Sequence, residues 1–262
     1  MLFRFCLYGV LKNQRYFEPF LILAFRDKGL SFAAIGLLVG FRDICINLLE
    51  IPTGAIADAL GRRSAMICSH LAYLLAFWLF GMAASTWGLV PAMFAFSIGE
   101  AFRTGTHKAI IFSWLKKEGR ENEKTRIYGV TRSWSKQGSA LAVAIGAALV
   151  FWLKDYRLVF WLSMIPIGMN IINFLYYPRD LEGRNAAANR PDIWKALRDG
   201  LRQCGRHRPL RRLLLEAMGF EGSFEVTMNY LQPIIRQAAI ALPLFLAFDD
   251  RERTAVLVGA VY

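Results

Sequence analysis

Residues 54–63 read Gly54-Ala55-Ile56-Ala57-Asp58-Ala59-Leu60-Gly61-Arg62-Arg63. This stretch joins an apolar block at 32–57 to another at 65–84. Each block has about twenty residues or more, enough for a helix to cross roughly 30 Å of hydrocarbon. Gly54 removes a side chain, so another helix can approach closely. Asp58 is a carboxylate at a membrane surface, suited to meet a helix N-terminus, where the macrodipole is positive. Gly61 permits a tight turn, and Arg62 and Arg63 hold the loop on the cytoplasmic side.

Outward from this loop, the apolar blocks repeat. They predict helices at 5–25, 32–57, 65–84, 87–114, 130–152 and 158–177, then a polar stretch at 178–212, a seventh helix at 213–235 and the start of an eighth at 254–262. With 55% hydrophobic residues in blocks of this length, the chain reads as an all-α polytopic membrane protein. A signal peptide does not fit, because Lys12, Arg15 and Glu18 interrupt the first block and no small-residue cleavage site follows. Cys6, Cys45, Cys68 and Cys204 form no CxxC pair, and the first three lie in apolar blocks. Neither a disulfide framework nor a metal site is expected from them.

The net charge of +12 suggests an acidic partner only if the charge is spread over a soluble surface. Here most of it lies in loops on one side, at 62–63, 116–126 and 179–212. The opposite side, before the seventh helix, carries only Arg26, Lys28, Lys154 and Arg157. The bias places the N-terminus and the basic loops in the cytoplasm and the chain in a plasma membrane, the inner membrane in a bacterium. No RNA motif or zinc pattern accompanies the charge, so nucleic acid is not a partner. Residues 192–201 have helical apolar spacing with basic residues between, as in a helix lying on the membrane surface. The organisation expected is a six-helix bundle at 1–177, a basic cytoplasmic linker at 178–212 and an incomplete second bundle at 213–262. Residues 255–262 are apolar and too few to span, so the chain reads as a fragment or the product of a truncated gene.

The 54–63 loop resembles motif A of the major facilitator superfamily: a glycine, three residues, an acid, two residues, then Gly-Arg-Arg or Gly-Arg-Lys. Ala59 stands where the family usually has Arg or Lys. The loop also sits after the second span, where that family places it, and six spans followed by a long basic linker match the same organisation. A plain basic loop is the alternative reading. The resemblance implies a secondary active transporter that moves a small solute between two halves by alternating access, with protons as a candidate coupling ion. It implies that Asp58, within the gate loop Gly54, Asp58, Gly61, Arg62 and Arg63, meets a helix of the second half and steadies one access state. That helix would lie beyond residue 262, so this stretch by itself is not expected to alternate access.

Charges inside the spans supply the candidate polar lining. An ionisable residue near the bilayer centre costs about 2.5–3.5 kcal/mol on insertion scales and so faces the bundle interior. Arg15 and Glu18 are three apart, can pair on one helix face, and precede Pro19. They could form a solute site or a structural pair. Gly36, Gly40, Asp43, Asn47, Glu50 and Gly54 alternate spacings of four and three, so they share one face. For Asp43 and Glu50, gating or packing is favoured over solute binding, with Arg42 pointing away. Glu100, Arg103 and His107 share a face of the fourth block. The run Arg103-Thr104-Gly105 weakly resembles the superfamily's helix-four motif, whose arginine is linked to proton coupling, although the glycine spacing differs. Arg132 is expected to snorkel to the interface, while Lys136 lies deeper and could bind an anion or pair with Glu100. Glu221, Glu225, Asn229 and Gln232 form a polar face ahead of Pro233.

Two other classes were weighed. An intramembrane enzyme needs a clustered nucleophile and base or a metal set, whereas His70, His107 and His207 are scattered and no HExxH is present. A half-transporter completing itself as a homodimer is the other. No nucleotide-binding P-loop occurs, and no cofactor or metal is implied.

Overall fold

The computed structural model describes residues 1–178, 181, 206–241 and 248–261. The amphipathic segment at 192–201, most of the linker, Cys204 and Tyr262 lie outside them. Among the described residues the fold is helical, without strands.

The first predicted block is two helices. α1 (Leu2–Lys12) stops at Asn13, and the chain resumes through a 3-10 turn at Glu18–Phe20 into α2 (Leu21–Asp27). Pro19 sits inside that 3-10 turn; having no N–H, it cannot make the α-helical bond to the Arg15 carbonyl, which accepts the Glu18 amide instead. α3 (Phe32–Leu60) starts on Ser31, whose Oγ accepts the Ala34 amide, and ends where Gly61 takes φ 102°. α4 (Arg62–Met82) follows directly. The fourth block is also broken. α5 (Thr86–Arg103) ends at Thr104, Gly105 adopts φ 72°, and α6 (Thr106–Lys117) begins. A left-handed residue is tolerated there because glycine has no Cβ. α7 (Lys124–Leu153) is continuous, whereas α8 (Tyr156–Leu162) and α9 (Met164–Leu175) divide the sixth block at Ser163. α10 (Arg208–Ala241) continues through Pro233 rather than breaking there, and α11 (Asp250–Val261) begins under an Asp249 cap.

Among the described residues, four segments are long and apolar enough to cross a membrane by themselves: Phe32–Glu50, Arg62–Met82, Glu121–Leu153 and Tyr156–Leu175. The first and fourth blocks are not among them, and these are the two that carry Arg15, Glu100 and Arg103 in their interiors.

Close packing holds the broken first block against α7. A Cβ on Gly138 would sit 2.7 Å from the Val10 Cα, and one on Gly146 would sit 2.5 Å from the Tyr16 carbonyl. Small residues let backbones meet where lipid supplies no hydrophobic drive for association. Asn13 Nδ2 donates to the Ser135 carbonyl at 2.5 Å and Gln14 Nε2 to the Gly138 carbonyl at 2.8 Å, so α7 supports the interrupted backbone. An aromatic core of Phe17, Phe20, Phe25, Phe77, Phe80 and Phe160 fills the half of the bundle nearer the 27–31 and 154–155 turns. Phe5, Tyr8, Trp114, Phe174 and Tyr177 fill the other half.

Candidate functional site

The two helix breaks lie beside one buried charge cluster. Arg15 Nη2 donates to Glu100 Oε1 at 2.6 Å, with the side chains 10% and 12% exposed. Arg103, at the end of α5, donates through Nε to Glu100 Oε2 at 3.0 Å and through Nη2 to the same oxygen. Arg103 Nε also donates to the Tyr73 hydroxyl at 3.0 Å. The Arg15 guanidinium lies 4.9 Å from the Tyr73 ring and 5.0 Å from the Phe96 ring. One carboxylate thus serves two arginines, with aromatic faces taking up part of the excess charge. The interruption of α1 is what lets Arg15 reach α5.

Arg15 and Glu18, expected to pair on one helix face, form a long ion pair of 3.9 Å, with Glu18 63% exposed, while Arg15 makes its short contact to Glu100. Lys136, in contrast, does not pair with Glu100, whose oxygens are already occupied.

Two adjoining cavities lie between α1, α7 and the α5–α6 break. The first, of 270 Å³, is lined by Arg15, Glu18, Arg103, Lys136 and Ser139 among others. The second, of 230 Å³, is lined by Tyr8, Thr104, Gly105 and His107. Lys12, Arg103, Arg132 and Ser135 line both. Arg132 therefore lines a cavity, where the sequence suggested an interfacial side chain. His107 sits among aromatic rings, 3.9 Å from the Tyr8 ring centre, with Nε2 3.4 Å from the Tyr177 hydroxyl. Among the described residues, no group of three or more His, Cys, Asp or Glu could hold a metal ion.

The 54–63 loop ties α4 to two other helices. Arg62 donates to the Ser113 Oγ at 2.6 Å and the Ala109 carbonyl at 3.3 Å, both on α6. Arg63 donates to the Phe174 and Leu175 carbonyls at 3.0 and 2.8 Å. Both carbonyls lie in the last turn of α9; the Phe174 carbonyl also takes the Tyr177 amide at 3.0 Å, and Arg63 adds a side-chain cap to that end. Asp58 is exposed and makes no ion pair among the described residues. On α3, nothing lies within 4 Å of a Cβ on Gly40 or Gly54, whereas one on Gly36 would meet the Tyr230 hydroxyl at 3.3 Å. Glu50 is exposed. Asp43, expected to be separate from Arg42, pairs with it instead, Nη2 to Oδ1 at 2.7 Å.

Gln232, read as cavity lining, is buried. Its Oε1 accepts from the Ile22 amide at 3.0 Å and its Nε2 donates to the Glu18 carbonyl at 3.1 Å. It satisfies backbone groups freed by the α1–α2 break. The side chains of 221, 225 and 229 are outside the described set. Tyr73 and Lys12 were not singled out as site residues by sequence reasoning. Tyr73 is one tyrosine among nine; only the α4–α5 packing shows its role. Lys12 did carry a signal, a charge inside an apolar block.

The chain is thus a bundle of apolar helices, interrupted beside a buried ion cluster and a charged cavity. The chain belongs to the Major Facilitator Superfamily, whose sequence profile matches residues 5–256. The multidrug resistance protein MdtH of Yersinia enterocolitica is 26% identical over 158 residues, covering 58% of this chain and 38% of MdtH. MdtH of Proteus mirabilis is 26% identical over 146 residues, 55% of this chain and 35% of that protein. The chain thus spans well under half the length of these curated relatives. Among solved structures, the nucleoside transporter NupG superimposes with a TM-score of 0.71 at 13% identity, covering 97% of this chain and 60% of NupG. A peptide transporter POT in complex with sulfate gives 0.55 at 15% identity, covering 93% and 50%. These likenesses show the fold.

Proposed function

We propose that the protein is a secondary transporter that moves a small solute by alternating access, with the solute held in the cavity between α1, α5 and α7. The observation that carries this reading is the coincidence of three features at one place. Two spans break there, a buried Arg15–Glu100–Arg103 cluster sits at the breaks, and the cavity opens onto them. Interrupted helices with midplane ion and solute sites are how transporters of several folds bind their cargo. In this reading residues 1–177 form a first bundle, 178–212 a linker, and 213–262 belong to a second bundle. Asp58, exposed and without an ion pair, is the gate contact for a helix N-terminus in that second bundle, on the cytoplasmic side. Protons are the proposed coupling ion. Similarity to MdtH supports a small organic cargo.

The test is solute flux in proteoliposomes made with the protein expressed from its complete reading frame. Arg103→Gln and Arg15→Gln should each abolish flux while the protein remains monodisperse. Unchanged flux in both variants would remove the cluster from the pathway.

A further inference from the structure

The 270 Å³ cavity has a sign. Lys12, Arg15, Arg103, Arg132 and Lys136 line it, against the single lining carboxylate of Glu18. Glu100 adds one negative charge behind the wall, and both of its oxygens are taken by Arg15 and Arg103. Five cations thus meet two carboxylates, and three positive charges are left over. Lys12, Arg132 and Lys136 make no ion pair among the described residues. Lys12 has only the face of Tyr8, 5.6 Å away. Arg15 is nine-tenths buried, and its Nε–H has no acceptor.

The adjoining cavity adds to this. Its wall includes Thr104, Gly105 and His107, so the N-terminus of the twelve-residue α6 lies against it. Gly105 caps that helix without a side chain, which leaves the positive end of the helix dipole uncompensated. Ser135 lines both cavities, and Ser139 and Thr131 line one each, so hydroxyl donors stand between the cations.

We infer that the cavity binds a small organic anion, one carrying a carboxylate, sulfonate or phosphate group, through Lys12, Arg132, Lys136 and the free edge of Arg15. The inference rests on the transporter reading and narrows its cargo to a charge class. A cationic solute would meet like charge from five lining side chains, which is unfavourable. A lipid headgroup phosphate has the same chemistry, so the test separates the two sources.

The purified full-length protein is titrated at constant ionic strength with inorganic sulfate, phenylphosphonate, citrate, uridine and tetraphenylphosphonium, following its thermal midpoint by tryptophan fluorescence. The three anions should raise the midpoint, and the neutral and cationic probes should not. Lys12→Gln, Arg132→Gln and Lys136→Gln should each weaken anion affinity about tenfold. Lys136→Arg should retain it, and Arg126→Gln, on the exposed surface, should leave it unchanged. Each variant is first shown to keep its gel-filtration profile, so that loss of binding is not loss of fold. Anion affinity unchanged in all three neutralised variants would overturn the inference. So would stabilisation by phosphatidylglycerol nanodiscs but not by free anions, which would assign the site to lipid. Proteoliposome flux limited to neutral or cationic solutes would overturn the anion and leave the transporter standing. Anion binding with the expected variants but no flux of any solute would do the reverse.

Discussion

Glu100→Gln isolates the central electrostatic claim. Glu100 accepts a 2.6 Å hydrogen bond from Arg15 and is also bound by Arg103. Glutamine keeps the shape and one acceptor but removes the charge, which leaves two guanidinium groups facing each other in a site sheltered from water. Removing one member of a buried ion pair costs on the order of 3–5 kcal/mol, most of it the penalty of the stranded partner. For a chain of this size, 1 kcal/mol corresponds to about 2–4 °C in thermal midpoint. The variant should therefore melt about 6–20 °C lower. Arg15→Gln should cost less, about 1.5–3 kcal/mol, because Glu100 keeps Arg103. Glu100→Asp keeps the charge one methylene short and should fall between the parent and Glu100→Gln. The assay is thermal unfolding in detergent, read by the seven tryptophans. A Glu100→Gln midpoint within about 2 °C of the parent would refute the reasoning, since the arginines would then have other means of neutralisation.

Gly138→Leu should loosen α1 from α7, because even a Cβ meets the Val10 backbone at 2.7 Å. A loss of about 1–3 kcal/mol is expected in the same melt. Gln232→Leu strands the Ile22 amide and removes the second donor from the Glu18 carbonyl, which keeps the Leu21 amide. It should lower stability by about 1–3 kcal/mol and speed amide exchange at Ile22 specifically. Outside the membrane-spanning segments, Lys154 lies 2.5 Å from Asp249 and 2.9 Å from Glu252. Hydrogen bonds from the Lys154 ammonium hold both carboxyls below their ordinary values, and the bond to Asp249 raises the lysine. The carboxylate contribution is present above the ordinary carboxylate value and is lost as pH falls through the depressed values; the lysine contribution is lost only as pH rises through its raised value. Amide protection in the first turn of α11 should thus be greater at about pH 7 than at about pH 3, and Lys154→Gln should flatten that dependence.

The membrane class and the order of the helices were legible in the sequence because both rest on block length and loop charge, which are local properties. Gly61 as a turn and the contiguity of α3 with α4 were equally local. The helix breaks were harder. Pro19 signalled one, but Gly105 was read as a weak motif element rather than as a left-handed residue. The partner choices were not legible at all. Arg15 could be paired with Glu18 from spacing alone, yet its short contact is to Glu100, 85 residues away. Arg42 and Asp43 paired although adjacent residues on a helix usually diverge, because a long guanidinium can fold back along the surface. Arg62 and Arg63 looked like topology signals until the carbonyls they bind on α6 and α9 were located.

The distance between Arg15 and Glu100 also has a meaning in time. A ribosome adding about 5–20 residues per second needs roughly 4–17 s to pass from one to the other. Throughout that interval the carboxylate within reach of the Arg15 guanidinium is Glu18, at the exposed end of a long ion pair. An arginine at the centre of a span costs about 2.5–3.5 kcal/mol on insertion scales. Assembly of this bundle is therefore favoured by charge neutralisation, with the Glu100 carboxylate of the fourth block offsetting the cost of the first.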